Sequence, residues 1–181
     1  TDKHLYKADQ ALKMGDYKIA ALIYYDYVQE DENWPPEKFH VAHAYNGLGW
    51  SQYKKKQYNY AIKKFLKSIK YDEYKIDSSK GLGLSFYNIN KFKEAIPYLE
   101  TALRHDPSNK ELAYKLDWAI LQTENPKIAK VYFEKILKEH PLLASPYMAL
   151  GWIHYKHRNP DLAIEYFLRA ISLDPDFALM P

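Results

Sequence analysis

Four sets of residues in this 181-residue chain have side chains and spacing that could do chemistry. His40 with His43, and His154 with His157, stand three residues apart, close enough on one helix face to share a metal ion. Neither pair has a third ligand nearby in sequence, and there is no cysteine to supply a thiolate, so no metal site is expected. The Gly47-Leu48-Gly49 and Gly81-Leu82-Gly83 triplets have the glycines of a phosphate cradle. They fall inside stretches of helical periodicity and lack the rest of such a motif. Lys54-Lys55-Lys56 with Lys63, Lys64, Lys67 and Lys70 form a basic stretch that reads as a solvated convex face, open to an acidic surface or partner. No nucleophile, base and orienting group assemble at meaningful spacing, so neither catalysis nor a cofactor is expected. The remaining resource is aromatic: 18 Tyr and 4 Trp.

What positions those rings is a repeat. With Ala42, Ile76, Lys110 and Ala144 as first positions, the pattern restarts every 34 residues. The eighth residue of each unit is Gly49, Gly83, Asp117 and Gly151; the twentieth is Ala61, Ala95, Ala129 and Ala163; the twenty-fourth is Phe65, Leu99, Phe133 and Phe167. Three units close on Asp106-Pro107, His140-Pro141 and Asp174-Pro175. Each unit reads as two amphipathic helices, for example 80–88 and 93–104 around a turn at Asn90-Lys91. The recurrent glycines are expected to face the recurrent alanines where the two helices cross, since glycine inside a helix costs roughly 1 kcal/mol against alanine and needs a packing reason. Asp117 and Ile136 break that small-residue crossing, which implies a wider helix pair or a tilted first helix there and a carboxylate that must find donors or water, either a local repacking or a built-in ligand for a partner.

These residues closely resemble the tetratricopeptide repeat. The last unit carries Tyr147, Leu150-Gly151, Ala163, Phe167, Ala170 and Pro175; the third carries Leu82-Gly83, Phe86, Ala95, Leu99, Ala102 and Pro107; the first carries Ala8, Gly15-Asp16-Tyr17, Ala20 and Tyr24. The resemblance implies an all-α fold, a right-handed α-solenoid of helix-turn-helix repeats. The chain is read as one array with units at 1–34, 42–75, 76–109, 110–143 and 144–177, and the start of a truncated further helix at 178–181. Residues 35–41 are an insertion, expected to extend the first helix of the second unit from Pro35-Pro36-Glu37, with Trp34 packed at its base. Asn125-Pro126 and Asn159-Pro160 are expected to start second helices as cap and first turn.

The resemblance also places the first helix of each unit on the concave face. Its ninth position reads Asp9, Trp50, Leu84, Trp118 and Trp152, and its twelfth reads Leu12, Tyr53, Tyr87, Leu121 and Tyr155. A groove floored by Trp50, Tyr53, Tyr87, Trp118, Trp152 and Tyr155 is therefore expected, with Asn46, Lys54, Lys80 and Lys156 orienting a carboxylate-bearing segment. The bland alternative is that these rings only pack between neighbouring helices. The Lys and Asn positions of a chaperone-tail clamp are absent, and so is the asparagine ladder of glycosyltransferase-linked repeats.

The expected function is a non-catalytic scaffold or adaptor that binds a protein or peptide partner. One alternative is a glycan-handling module of an envelope or polymer-export system, since sugars also stack on aromatic faces. Another is self-assembly through an uncapped last helix. A formal charge of +3 falls short of a nucleic-acid-binding stripe, and no apolar run is long enough to span a bilayer. The first residue is not Met, so the chain is read as a trimmed piece whose compartment is left open.

Overall fold

The computed structural model describes residues 3–30, 38–70 and 75–176. The described residues form ten helices and no strand. They are α1 (Lys3–Lys13), α2 (Tyr17–Glu30), α3 (Lys38–Lys54), α4 (Tyr58–Ile69), α5 (Lys75–Asn88), α6 (Phe92–His105), α7 (Lys110–Thr123), α8 (Pro126–Glu139), α9 (Ala144–Lys156) and α10 (Pro160–Leu173). The fold is the all-α solenoid type, helical hairpins in series. Of the expected insertion, positions 38–41 belong to α3; Trp34, Pro35, Pro36, Glu37 and positions 177–181 lie outside the described residues. The chain divides into two compact units, Thr1–Pro107 with α1 to α6 and Ser108–Pro181 with α7 to α10.

In the first unit, each hairpin packs within itself and lays its second helix against the first helix of the next. Leu5, Ala8, Ala20, Tyr24, Ala44 and Leu48 form one core cluster, and Ala61, Ile62, Phe65 and Leu82 another. The glycines explain how large rings fit among the helices. A Cβ on Gly49 would come 2.5 Å from the Phe65 ring, one on Gly83 would come 2.9 Å from Leu99, and one on Gly151 would also collide with Phe167. The atoms nearest to each added Cβ belong to the side chain at the twenty-fourth position, beside the crossing at which Ala61, Ala95 and Ala163 are expected. Alanine contributes room for the crossing, but it is the ring that forbids a Cβ. The leading glycine of each triplet has the same reason: Gly47 lies against Tyr24, and Gly81 against the far side of Phe65. Phe65 is thus held between two glycines, Gly49 from its own hairpin and Gly81 from the next.

Turns between paired helices also recur. Gly15, Lys56, Asn90 and Arg158 occupy equivalent places and all have positive φ, between 59° and 82°. The fourth hairpin departs: Glu124, at the same place, is extended (φ −90°, ψ 153°), and α7 packs on α8 far more sparsely than the other first helices pack on their partners. The sparse packing is in keeping with the wider pair or tilted first helix expected from Asp117 and Ile136.

Candidate interaction surface

In the first unit, one stripe of α3 carries His43, Asn46, Trp50 and Tyr53 at helical spacing. Trp50 sits edge-on to Phe65 beneath it (5.3 Å between ring centres) and to Tyr53 beside it (5.4 Å). Tyr53 in turn meets Tyr58 at 5.4 Å, and its hydroxyl accepts from the Asn88 amide at 3.2 Å. Tyr87 packs edge-on against Phe92. The Trp50 indole N–H donates to Asp77 Oδ2 at 2.7 Å, and Asn46 Nδ2 donates to the same oxygen at 2.7 Å. Behind them, Ser78 donates to Asn46 Oδ1 at 2.9 Å, and its hydroxyl lies 2.9 Å from that of Ser68, which bonds the Ala42 carbonyl. This buried seam joins α3, α4 and α5 and fixes the Trp50 indole from its edge while Phe65 fixes it from below.

In the second unit, Trp118 of α7 and Trp152 of α9 meet edge to face at 5.8 Å. Trp152 also packs on Phe167 (5.6 Å) and on Tyr155 (5.7 Å), which is 60% exposed. Each Trp is half-buried. Such edge-to-face contacts add about 0.5–1.5 kcal/mol beyond area burial and hold the rings in place before anything binds. Of the expected orienting residues, Lys54 and Lys156 are exposed at the ends of α3 and α9, Lys80 is half-buried, and Asn46 is 6% exposed with its amide engaged at both ends.

Sequence reading missed the anionic groups of the first unit. Asp77 stands at the second position of its unit, where it meets the ninth-position Trp50 of the preceding one. Asp9 accepts from the Tyr24 hydroxyl, and its Oδ1 lies 2.8 Å from His43 Nε2. A carboxylate one hairpin away from an indole or imidazole is the signal that could have found both. The histidine pairs do not act as pairs: His43 goes to Asp9 and His40 to an edge contact with Tyr27. His154 is buried and stacked on Tyr166 at 5.3 Å, and desolvation, with Lys130 and His157 nearby, pushes its pKa down. Among the described residues, no group of three or more His, Asp or Glu could hold a metal ion.

Comparison with known proteins agrees with this architecture. Two sequence models, each described as Tetratricopeptide repeat, match residues 80–127 and 144–177. The chain carries tetratricopeptide repeats. No curated protein matches it by sequence. Among solved structures, the tetratricopeptide protein YrrB, described as having an unusual peptide-binding site, superposes with a TM-score of 0.75 at 21% identity, covering 97% of this chain and 87% of YrrB. Two MamA structures superpose with TM-scores of 0.73 and 0.71 at 20% identity; one covers 97% of this chain and 92% of MamA, the other 99% of each. At these identities the likeness establishes the tetratricopeptide fold. Among the described residues, no helix is long and apolar enough to cross a membrane.

Proposed function

We propose that this protein is a non-catalytic interaction scaffold whose first-helix faces hold a partner's polypeptide segment. The contacts are Trp50, Tyr53 and Tyr87 in the first unit, and Trp118, Trp152 and Tyr155 in the second. The observation that carries this reading is the row Trp118–Trp152–Tyr155, three rings in successive edge-to-face contact and ending in a Tyr that is 60% exposed. Half-exposed, pre-oriented aromatic rings bury large area with little further loss of side-chain freedom, which is what binding hot spots require. Lys54, Lys80 and Lys156 supply cations toward acidic groups on the partner. Asn46, in this reading, holds Asp77 and Trp50 in place and does not itself reach the partner. The peptide-binding site named for the structural relative YrrB supports a polypeptide ligand.

The test is selection of a displayed peptide library on the protein, then calorimetric titration of the enriched peptides. Substituting Trp118→Ala, Tyr155→Ala or Trp50→Ala, in variants of unchanged helicity, is expected to weaken binding at least about tenfold, the scale of an interface hot spot. Affinities untouched by all three substitutions would reject the aromatic faces as the site.

A further inference from the structure

Asp117 occupies a place the other hairpins reserve for small residues. In the second and fifth hairpins, Gly49 and Gly151 lie so close to Phe65 and Phe167 that a Cβ would collide with the ring. The fourth hairpin puts Asp117 at that place, and at the ring's place it has Phe133, which is fully buried. Close packing of that kind is therefore barred. Its helices are correspondingly sparse in mutual packing, and Glu124 replaces the left-handed turn residue of the other four hairpins. Yet Asp117 does not escape to solvent: it is 7% exposed, and its Oδ2 has no hydrogen-bond partner.

We propose that Asp117 makes the α7–α8 hairpin a proton-operated joint, packed around a neutral carboxyl and loosened when that carboxyl ionises. A buried carboxylate with an orphaned oxygen is costly, whereas the neutral acid both lowers that cost and gains a donor. Burial holds the Asp117 carboxyl far above the usual carboxylate range, at about 7, against a smaller opposing effect from the Ser145 side chain of α9. The charged groups named on the surrounding helices are either paired or exposed. On α7, Lys115 pairs with Glu111 (3.6 Å) and Lys110 with Asp174 (2.7 Å). On α8, Lys130 pairs with Glu134 (3.7 Å); Lys127, Lys135, Lys138 and Glu139 are exposed. On α9, His154 stacks on Tyr166, and Tyr155 and Lys156 are exposed. Apart from burial, Ser145 is the side chain that acts on Asp117. The joint lies one residue from Trp118, so its opening moves a ring of the aromatic row.

The chain has no cysteine, which allows a clean distance measurement. Spin labels on Glu111→Cys and Lys138→Cys, both exposed and at the ends of α7 and α8 remote from their turn, report the opening by electron paramagnetic resonance. The mean distance is expected to lengthen between about pH 5 and about pH 9, with the same midpoint as the Asp117 carboxyl carbon signal in a parallel NMR titration. Asp117→Asn should abolish the pH dependence, and Asp117→Gly should give the short distance throughout. A distance that ignores pH, a change that survives in Asp117→Asn, or a carboxyl that titrates in the ordinary range would each overturn the joint.

Discussion

Lys56 and Arg158 hold φ near 60° in turns where Asn90 does the same and Gly15 sits at 82°. A Cβ in this region costs roughly 1–2 kcal/mol, a penalty glycine escapes and asparagine partly offsets through local hydrogen bonding. Lys56→Gly and Arg158→Gly are therefore each expected to raise stability, by about 1 kcal/mol, in denaturant titration. The gain stays below the full strain because glycine also has more freedom to lose from the unfolded chain. An unchanged or lowered midpoint would show that the turns are not strained. Gly81→Ala runs the other way. Its new Cβ would meet the buried Phe65 ring, already flanked by Gly49, and overpacking of that kind costs about 1–3 kcal/mol. The glycine pattern was plain in the sequence, but its cause was not. Periodicity says which positions must be small, while the identity of the opposing atom depends on the crossing angle between helices.

At the scale of the helices, existence and pairing were legible because a strict period of 34 residues restates the same apolar stripe until chance is excluded. Ends were less so. The spacing predicts a helix over 80–88, whereas α5 begins at Lys75, because the turn before the small-residue positions is amphipathic too weakly to read. The two Asn-Pro starts show the limit more sharply. Asn125 is extended (φ −59°, ψ 134°), and its side chain accepts from the Lys127 N–H at 2.9 Å. Asn159 follows the left-handed Arg158, enters at φ −107°, ψ 71°, and makes no side-chain cap bond. One dipeptide thus does two different jobs, and the preceding turn decides which. Asn125→Ala is expected to lower stability by about 1 kcal/mol, the usual worth of a cap, and Asn159→Ala by a few tenths at most. Equal losses, measured by chemical denaturation, would mean the capping bond contributes nothing. The site divides in the same way: the aromatic columns could be read from the period, but the Asp77 and Asp9 partners could not, since they join different hairpins.

At the scale of the molecule, repeat arrays unfold as a sum of units and neighbour contacts, so a poorly packed hairpin sets where cooperativity breaks. The second compact unit contains the sparse α7–α8 pair and the buried Asp117 carboxyl. Calorimetry is expected to resolve two transitions, with the second unit melting first. Its pH dependence has a definite sign. The Asp117 pKa is raised from 3.8 unfolded to about 7 folded, so the folded state binds the extra proton between those values. Its stabilising contribution is complete below the lower value and is lost as pH rises through about 7, at roughly 1.4 kcal/mol for each pH unit separating the two. Asp174, whose pKa is depressed chiefly by its hydrogen bond from Lys110, has the opposite sign. Its contribution is lost only as pH falls through and below the ordinary carboxylate range, beneath the window that matters here. His154 in the same unit, its pKa pushed down chiefly by desolvation, works the other way once pH falls through the ordinary imidazole range. The lower transition should therefore rise in temperature as pH falls from about 8 to about 6.5, while the upper one holds nearly still. Asp117→Asn should remove most of that rise. If both transitions shift together, or the rise persists in the Asn variant, then the stability of the second unit is set by something other than this carboxyl.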